Sequence, residues 1–258
     1  MSGRLPALFL SHGAPTLPLD LAHPAHVFLK QLGRELPAPR AILVASAHWD
    51  TPLPTLTAAP HPETIHDFYG FPPELYAMRY PAPGSDELVE EAAERLQEAG
   101  LPVQADPARG LDHGAWVPLL LMYPQARIPV MQLSLQTSAG AAHHLKLGEA
   151  LAPLRDKGVL LIGSGGATHN LREFFRPMPG QDESYVPEFS AWLKDVLERG
   201  DRQSLVDYRR LAPQAARAHP TEEHFFPVLV AAGAGGKAER IHASMTGASL
   251  SMDAYKFS

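Results

Sequence analysis

The chain has 258 residues, 45% of them hydrophobic, and 22 basic against 28 acidic residues leave a formal net charge of −6. That balance argues against a nucleic-acid partner held through phosphate contacts. Cysteine is absent, which excludes disulfides, thiolate nucleophiles and zinc–sulfur sites, so a metal here must sit on nitrogen and oxygen ligands.

No run approaches the ~18 apolar residues of a membrane span. The opening Met-Ser-Gly-Arg-Leu-Pro lacks the apolar stretch of a secretory leader. A cytoplasmic protein with no membrane partner is expected. The 26 prolines and 20 glycines are spread along the chain as turn punctuation.

In chain order, residues 7–10 read as a short buried strand ending at Ser11-His12-Gly13. Val27, Phe28, Leu32 and Leu36 have helical spacing over residues 25–36. Residues 41–45 form a continuous apolar run of the parallel-strand type, ending at Ser46-Ala-His48-Trp-Asp. A short strand over 53–57 and a loop over 60–73 follow. Ser85 is a plausible N-cap for a helix over 85–99, with Gly100 as its stop. Further expected elements are a strand at 103–105, a helix at 116–122, a strand at 129–134, a helix at 139–154 and a strand at 159–162. Helices at 184–199, 204–208 and 221–232 follow, the last with Pro220 at its first position, and 249–257 reads as an edge strand. Strand–helix alternation without a compositional break gives one α/β domain over residues 1–258, with a mostly parallel or mixed central sheet flanked by helices.

Thirteen histidines stand out, and their positions carry more than their number. His12 and His48 each follow an apolar run. Neighbouring parallel strands would bring both within reach of one metal, and imidazole suits zinc, iron, copper or nickel. The bland alternative is that each bonds a backbone carbonyl at a strand end. His224 falls about one turn into the expected 221–232 helix. His219, five positions earlier, shares no helix face with it. Glu222 and Glu223 are rival ligands or first-turn acids that suit the helix dipole. His169 follows Gly163-Ser-Gly-Gly-Ala-Thr, a loop that allows close backbone approach, and its imidazole suits general acid/base work. His113, flanked by Gly110 and Gly114, is a candidate to donate a proton or hydrogen bond to substrate. His66 and Asp67 are candidates for a substrate mouth. Tyr69, Trp116 and Phe225 are candidates for aromatic stacking, although aromatics more often fill cores. Ser164 misses a Gly-x-Ser-x-Gly elbow by one position.

Seven strings stand in sequence order: Phe9-Leu-Ser-His-Gly-Ala-Pro, Val44-Ala-Ser-Ala-His-Trp, Thr64-Ile-His-Asp-Phe-Tyr-Gly-Phe-Pro, Tyr80-Pro-Ala-Pro-Gly-Ser, Leu111-Asp-His-Gly-Ala-Trp, Gly163-Ser-Gly-Gly-Ala-Thr-His-Asn-Leu and Thr221-Glu-Glu-His-Phe-Phe-Pro. With them the chain resembles the DODA-type extradiol aromatic ring-opening dioxygenases, relatives of the LigB class III enzymes. The resemblance spans nearly the whole chain. It implies a metal at His12, His48 and His224, acid/base work by His169 and a substrate-facing role for His113. It also implies Fe(II) for the dioxygenase reaction, with Zn(II) as a possible bound metal, and a catechol and O2 as small-molecule partners. A zinc-dependent hydrolase and a non-catalytic metal or small-molecule binding protein stay open as alternatives. A homodimer is the default assembly.

Overall fold

The computed structural model describes residues 4–176 and 184–258. Its strands are β1 (Ala7–Ser11), β2 (Ala41–Asp50), β3 (Thr55–Thr57), β4 (Gln104–Asp106), β5 (Val130–Leu135), β6 (Val159–Gly165), β7 (Ala238–His242), β8 (Met245–Thr246), β9 (Leu250–Ser251) and β10 (Ala254–Phe257). Its helices begin with α1 (Pro24–Glu35), α2 (Pro73–Ala77), α3 (Asp86–Glu98), α4 (His113–Met122), α5 (Gly140–Leu151) and α6 (Leu171–Phe175). They continue with α7 (Tyr185–Arg199), α8 (Arg202–Val206), α9 (Tyr208–Leu211), α10 (Ala215–Ala218) and α11 (Phe226–Ala234).

Eight strands form one mixed sheet in the order β4-β3-β5-β2-β6-β1-β10-β7, and β8 and β9 form a separate hairpin. The centre is parallel: β6 pairs with β1 on one side and β2 on the other, and β2 pairs with β5. These strands are apolar nearly throughout because both faces are covered. Alternation sorts them: Phe9, Leu43, Leu133 and Leu161 join the core beneath α3, α5, α7 and α11, while Leu8, Leu10, Val44 and Ile162 join the core beneath α1 and α4. No helix among the described residues is long and apolar enough to cross a membrane.

Local chemistry accounts for the helix ends. Ser85 Oγ accepts from Leu88 N–H at the start of α3, with Asp86 and Glu87 in the first turn. His23 caps α1 through its ring, and Pro24 occupies the first position.

Three expectations need correction. The 249–257 stretch is not an edge strand. β10 lies between β1 and β7, with Ala254, Tyr255 and Phe257 buried, and the polar β7 takes the edge. The helix expected from Thr221 starts only at Phe226. The strand expected to end at Ala45 runs on to Asp50 through a register shift.

Candidate metal centre

The C-terminal ends of β1, β2 and β6 lie side by side, where open α/β sheets bind ligands. His12 directly follows β1, and its N–H donates to Gly165 O at 3.0 Å. His48 is carried on the irregular extension of β2, inside the strand rather than past its end. His113 opens α4, which starts earlier than the expected Trp116. His169 sits on the loop after β6, pinned by its N–H to Ala218 O at 2.8 Å.

His224 sits in the turn before α11, not within a helix. The turn is stitched to the sheet instead: His224 O accepts from Gly166 N–H at 2.9 Å. Glu222 is no first-turn acid, since its carboxylate accepts from Tyr208 Oη at 2.8 Å and Arg209 Nε at 3.0 Å. The glycines of β6 make the approach possible. A Cβ on Gly163 would collide with Pro227 O, and one on Gly165 with His224 O.

The five imidazoles form one cluster. His48 Nε2 lies 3.0 Å from His12 Nε2 and 3.3 Å from His224 Nε2. His113 packs against His48 with ring centroids 3.9 Å apart, and His169 stacks on His224 at 3.3 Å and 8°. His12, His48 and His113 form one group with mutually close ligand atoms, and His169, Glu223 and His224 another. The short His48–His224 contact joins the two groups.

Hydrogen bonding assigns the ring protons of His12 and His224 to Nδ1. Pro118 lies inside α4 and has no N–H to give Gly114 O, its partner one turn back. That carbonyl instead takes the Ser164 hydroxyl proton. Ser164 Oγ is thereby left as an acceptor for His12 Nδ1–H, 3.1 Å away. His224 Nδ1–H donates to Glu223 Oε1 at 3.0 Å. His48 Nδ1 faces Asp67 Oδ2 at 3.5 Å. With the His48 proton also on the side of the Asp67 carboxylate, the three Nε2 atoms point lone pairs at one another. Burial, and then the neighbouring imidazoles, hold His12, His48 and His224 well below the usual histidine range, so all three are neutral. Converging lone pairs with no proton between them repel unless a cation lies among them, and three neutral imidazoles suit a divalent transition metal. The residues present fit such an ion.

Around the cluster lies a cavity of about 480 Å³ lined mainly by apolar surface, including Phe68, Phe71, Phe174, Leu250 and Met252, a size in the range of small-molecule sites. Asp67 lines it and grips His113 twice, from the backbone N–H at 2.9 Å and from Nδ1 at 2.9 Å. Burial alone would raise the Asp67 carboxyl, but the His113 hydrogen bonds overcome it and hold it below the ordinary carboxylate range. His169 also lines the cavity, pushed down to about 4, chiefly by burial.

His66 is not brought to the cavity wall. Its Nε2 bonds Met78 O at 3.1 Å, and its ring packs among Phe68, Tyr76 and Trp116. Trp116 and Phe225 are fully buried core residues, whereas Tyr69 is 91% exposed at the cavity mouth. Sequence reasoning missed Ser164 as the partner of His12, Glu223 as the partner of His224, and the wall residues Phe174 and Met252. The Gly-Ser-Gly-Gly string was the available signal for Ser164.

Residues 6–257 match the family model for the catalytic LigB subunit of aromatic ring-opening dioxygenase. The chain belongs to this family. Its chemistry is extradiol ring cleavage, acting with O2 on a small-molecule substrate, and it implies a metal cofactor. The chain is 46% identical to a 4,5-DOPA dioxygenase extradiol of Beta vulgaris over 255 residues, covering 96% of this chain and 95% of that one. It is 42% identical to a protein of the same name from Escherichia coli (strain K12) over 258 residues, covering 97% and 94%. A crystal structure of an uncharacterized protein from Escherichia coli K12 superposes with a TM-score of 0.82 at 34% identity, covering 99% of this chain and all of that one.

Proposed function

We propose that this LigB-family enzyme is a non-haem Fe(II) extradiol dioxygenase that opens the ring of a catechol of the dihydroxyphenylalanine type. The observation that carries the reading is the set of three neutral imidazoles, His12, His48 and His224, each with Nδ1 facing a hydrogen-bonding or acidic partner and Nε2 turned inward. These three would hold the ion. When bound, Fe(II) supplies both a Lewis acid for the catechol oxygens and a redox route between ring and O2, of which Zn(II) offers only the first.

The remaining roles fall to this chain's own groups. His169 is neutral at pH 7 and is placed to accept a catechol proton and to return it later. His113, oriented by Asp67 and packed against His12 and His48, is placed to meet the substrate beside the metal. Asp67 acts through His113, and His66 is left to support the wall. Phe68, Phe71 and Met252 keep bulk water from the reacting ring. The reading extends to a cytoplasmic setting and a homodimer, the latter checked by light scattering.

Oxygen uptake by protein loaded anaerobically with Fe(II), with a zinc-loaded sample beside it, tests the proposal on a panel of catechols. Uptake with iron and none with zinc is expected. No uptake from any iron-loaded sample would overturn the reading and favour metal-assisted hydrolysis or simple binding.

A further inference from the structure

The cavity wall carries a charge pattern that ring opening itself does not require. Among the described residues, the carboxylates that line it are Asp67 and Glu223. Among the described residues no Lys or Arg lines the cavity, and residues 177–183, Pro-Met-Pro-Gly-Gln-Asp-Glu, include neither. Nearby cations are turned elsewhere. Helix α6 puts Leu171, Phe174 and Phe175 on this cavity but Arg172 and Arg176 on a neighbouring one. Arg109 reaches His48 O at 3.4 Å from behind, but it is committed to the buried Asp112 at 3.2 Å and lies over the Trp49 ring.

Glu223 is only partly used. Both of its hydrogen bonds, from Thr221 Oγ1 and His224 Nδ1, fall on Oε1. Oε2 accepts none among the described residues, and the side chain, 28% exposed in all, lines the cavity. A catechol dianion on a divalent ion is electrically balanced at the diol end. Whatever the ring carries beyond the diol then meets apolar wall and two acids. A carboxylate there would find no cation and would face like charge, whereas an ammonium would find an open acceptor.

We propose that the site selects catechols by the charge of the ring substituent, favouring an ammonium and disfavouring a carboxylate, with Glu223 Oε2 as the acceptor. The proposal deepens the ring-opening reading and rests on it. For an amino-acid catechol, it makes the amino group the recognised end and leaves the carboxylate toward solvent.

The test uses four probes that share the 3,4-dihydroxyphenyl ring: dopamine, dihydroxyphenylalanine, neutral 4-ethylcatechol and 3,4-dihydroxyphenylpropionate. Dissociation constants come from anaerobic calorimetry on the iron-loaded enzyme, and kcat/KM from oxygen uptake. Dopamine should bind more tightly than the propionate by roughly tenfold or more, with the other two between them. Glu223→Gln keeps an acceptor for His224 and should lower the dopamine-to-ethylcatechol affinity ratio. Equal or reversed affinities in the wild type would overturn charge selection, whatever the turnover. An unchanged ratio in Glu223→Gln would overturn the role given to Glu223. The expected binding order without oxygen uptake from any probe would sustain charge selection and overturn the ring-opening reading instead.

Discussion

Two halves of the site are built in different ways. His12 directly follows β1 and His48 rides on the extension of β2, two central strands that both pair with β6. His224 and His169 ride on loops tied down by contacts with distant segments: Gly166 N–H to His224 O, His169 N–H to Ala218 O, and the Glu222 carboxylate drawn to Tyr208 and Arg209. The strand half follows local apolar runs that form the strands on which it sits. The loop half is specified by tertiary contacts and depends on β6 lacking side chains at Gly163 and Gly165. The proposed metal centre therefore forms only where the second half docks on the first.

The strongest way to break this comparison is Gly165→Ala. The new methyl collides with the His224 carbonyl and pushes the loop half off the sheet, while the sheet core is left intact. Iron affinity, measured by chelator competition, should fall by more than about a hundredfold, beyond the loss expected for an outer hydrogen-bond partner, with little change in the far-ultraviolet circular dichroism. Near wild-type affinity would show that the loop half is not held by β6.

A smaller effect is expected within the strand half. Ser164→Ala removes the acceptor that keeps the His12 proton on Nδ1. Metal affinity should drop by ~10–100-fold. Pro118→Ala supplies an N–H that competes for Gly114 O and should shift affinity in the same direction by less. If Ser164→Ala binds iron as wild type does, the tautomer of His12 is set by something else.

The smallest effect concerns pH and the buried histidines outside the metal set. Burial pushes His144 down to about 4, and its Nε2 accepts from Gln136 N–H. Burial likewise pushes His219 down to about 3. Each takes up a proton near 6.5 only when unfolded, so stability is full above that pH and falls as pH drops from about 6.5 toward these lowered values. Each contributes up to about 1.4 kcal/mol per pH unit across that window. Urea unfolding at pH 7, 6 and 5 should show a shallower loss in His144→Gln than in the wild type, and identical slopes would contradict the assignment.

The same contrast explains how much the sequence disclosed. The central strands and α3 were legible because continuous apolar runs and a Ser85 cap are local signals. His12 and His48 followed from those runs. The setting of His224 reads as helical in the sequence, because Pro220 and two acids imitate a helix start, while the decisive bonds come from Gly166, just past β6, and from α9. Glu223 and Ser164 were weighed as rivals or near-misses, and their use emerges only from partners far along the chain. His66 looked like a neighbour of Asp67 in function, yet successive residues in an extended segment face opposite ways, and its ring turned into the aromatic packing.

The central claim is that His12, His48 and His224 hold the metal while His113 and His169 work on the substrate. Iron content after anaerobic loading and desalting, measured for the alanine variant of each of the five histidines, tests it most directly. The account predicts that His12→Ala, His48→Ala and His224→Ala lose the ion. His113→Ala and His169→Ala should keep it, with turnover in His169→Ala down by ~10²–10⁴-fold. Full iron in His224→Ala, or its loss from His113→Ala, would contradict the account and move the third ligand.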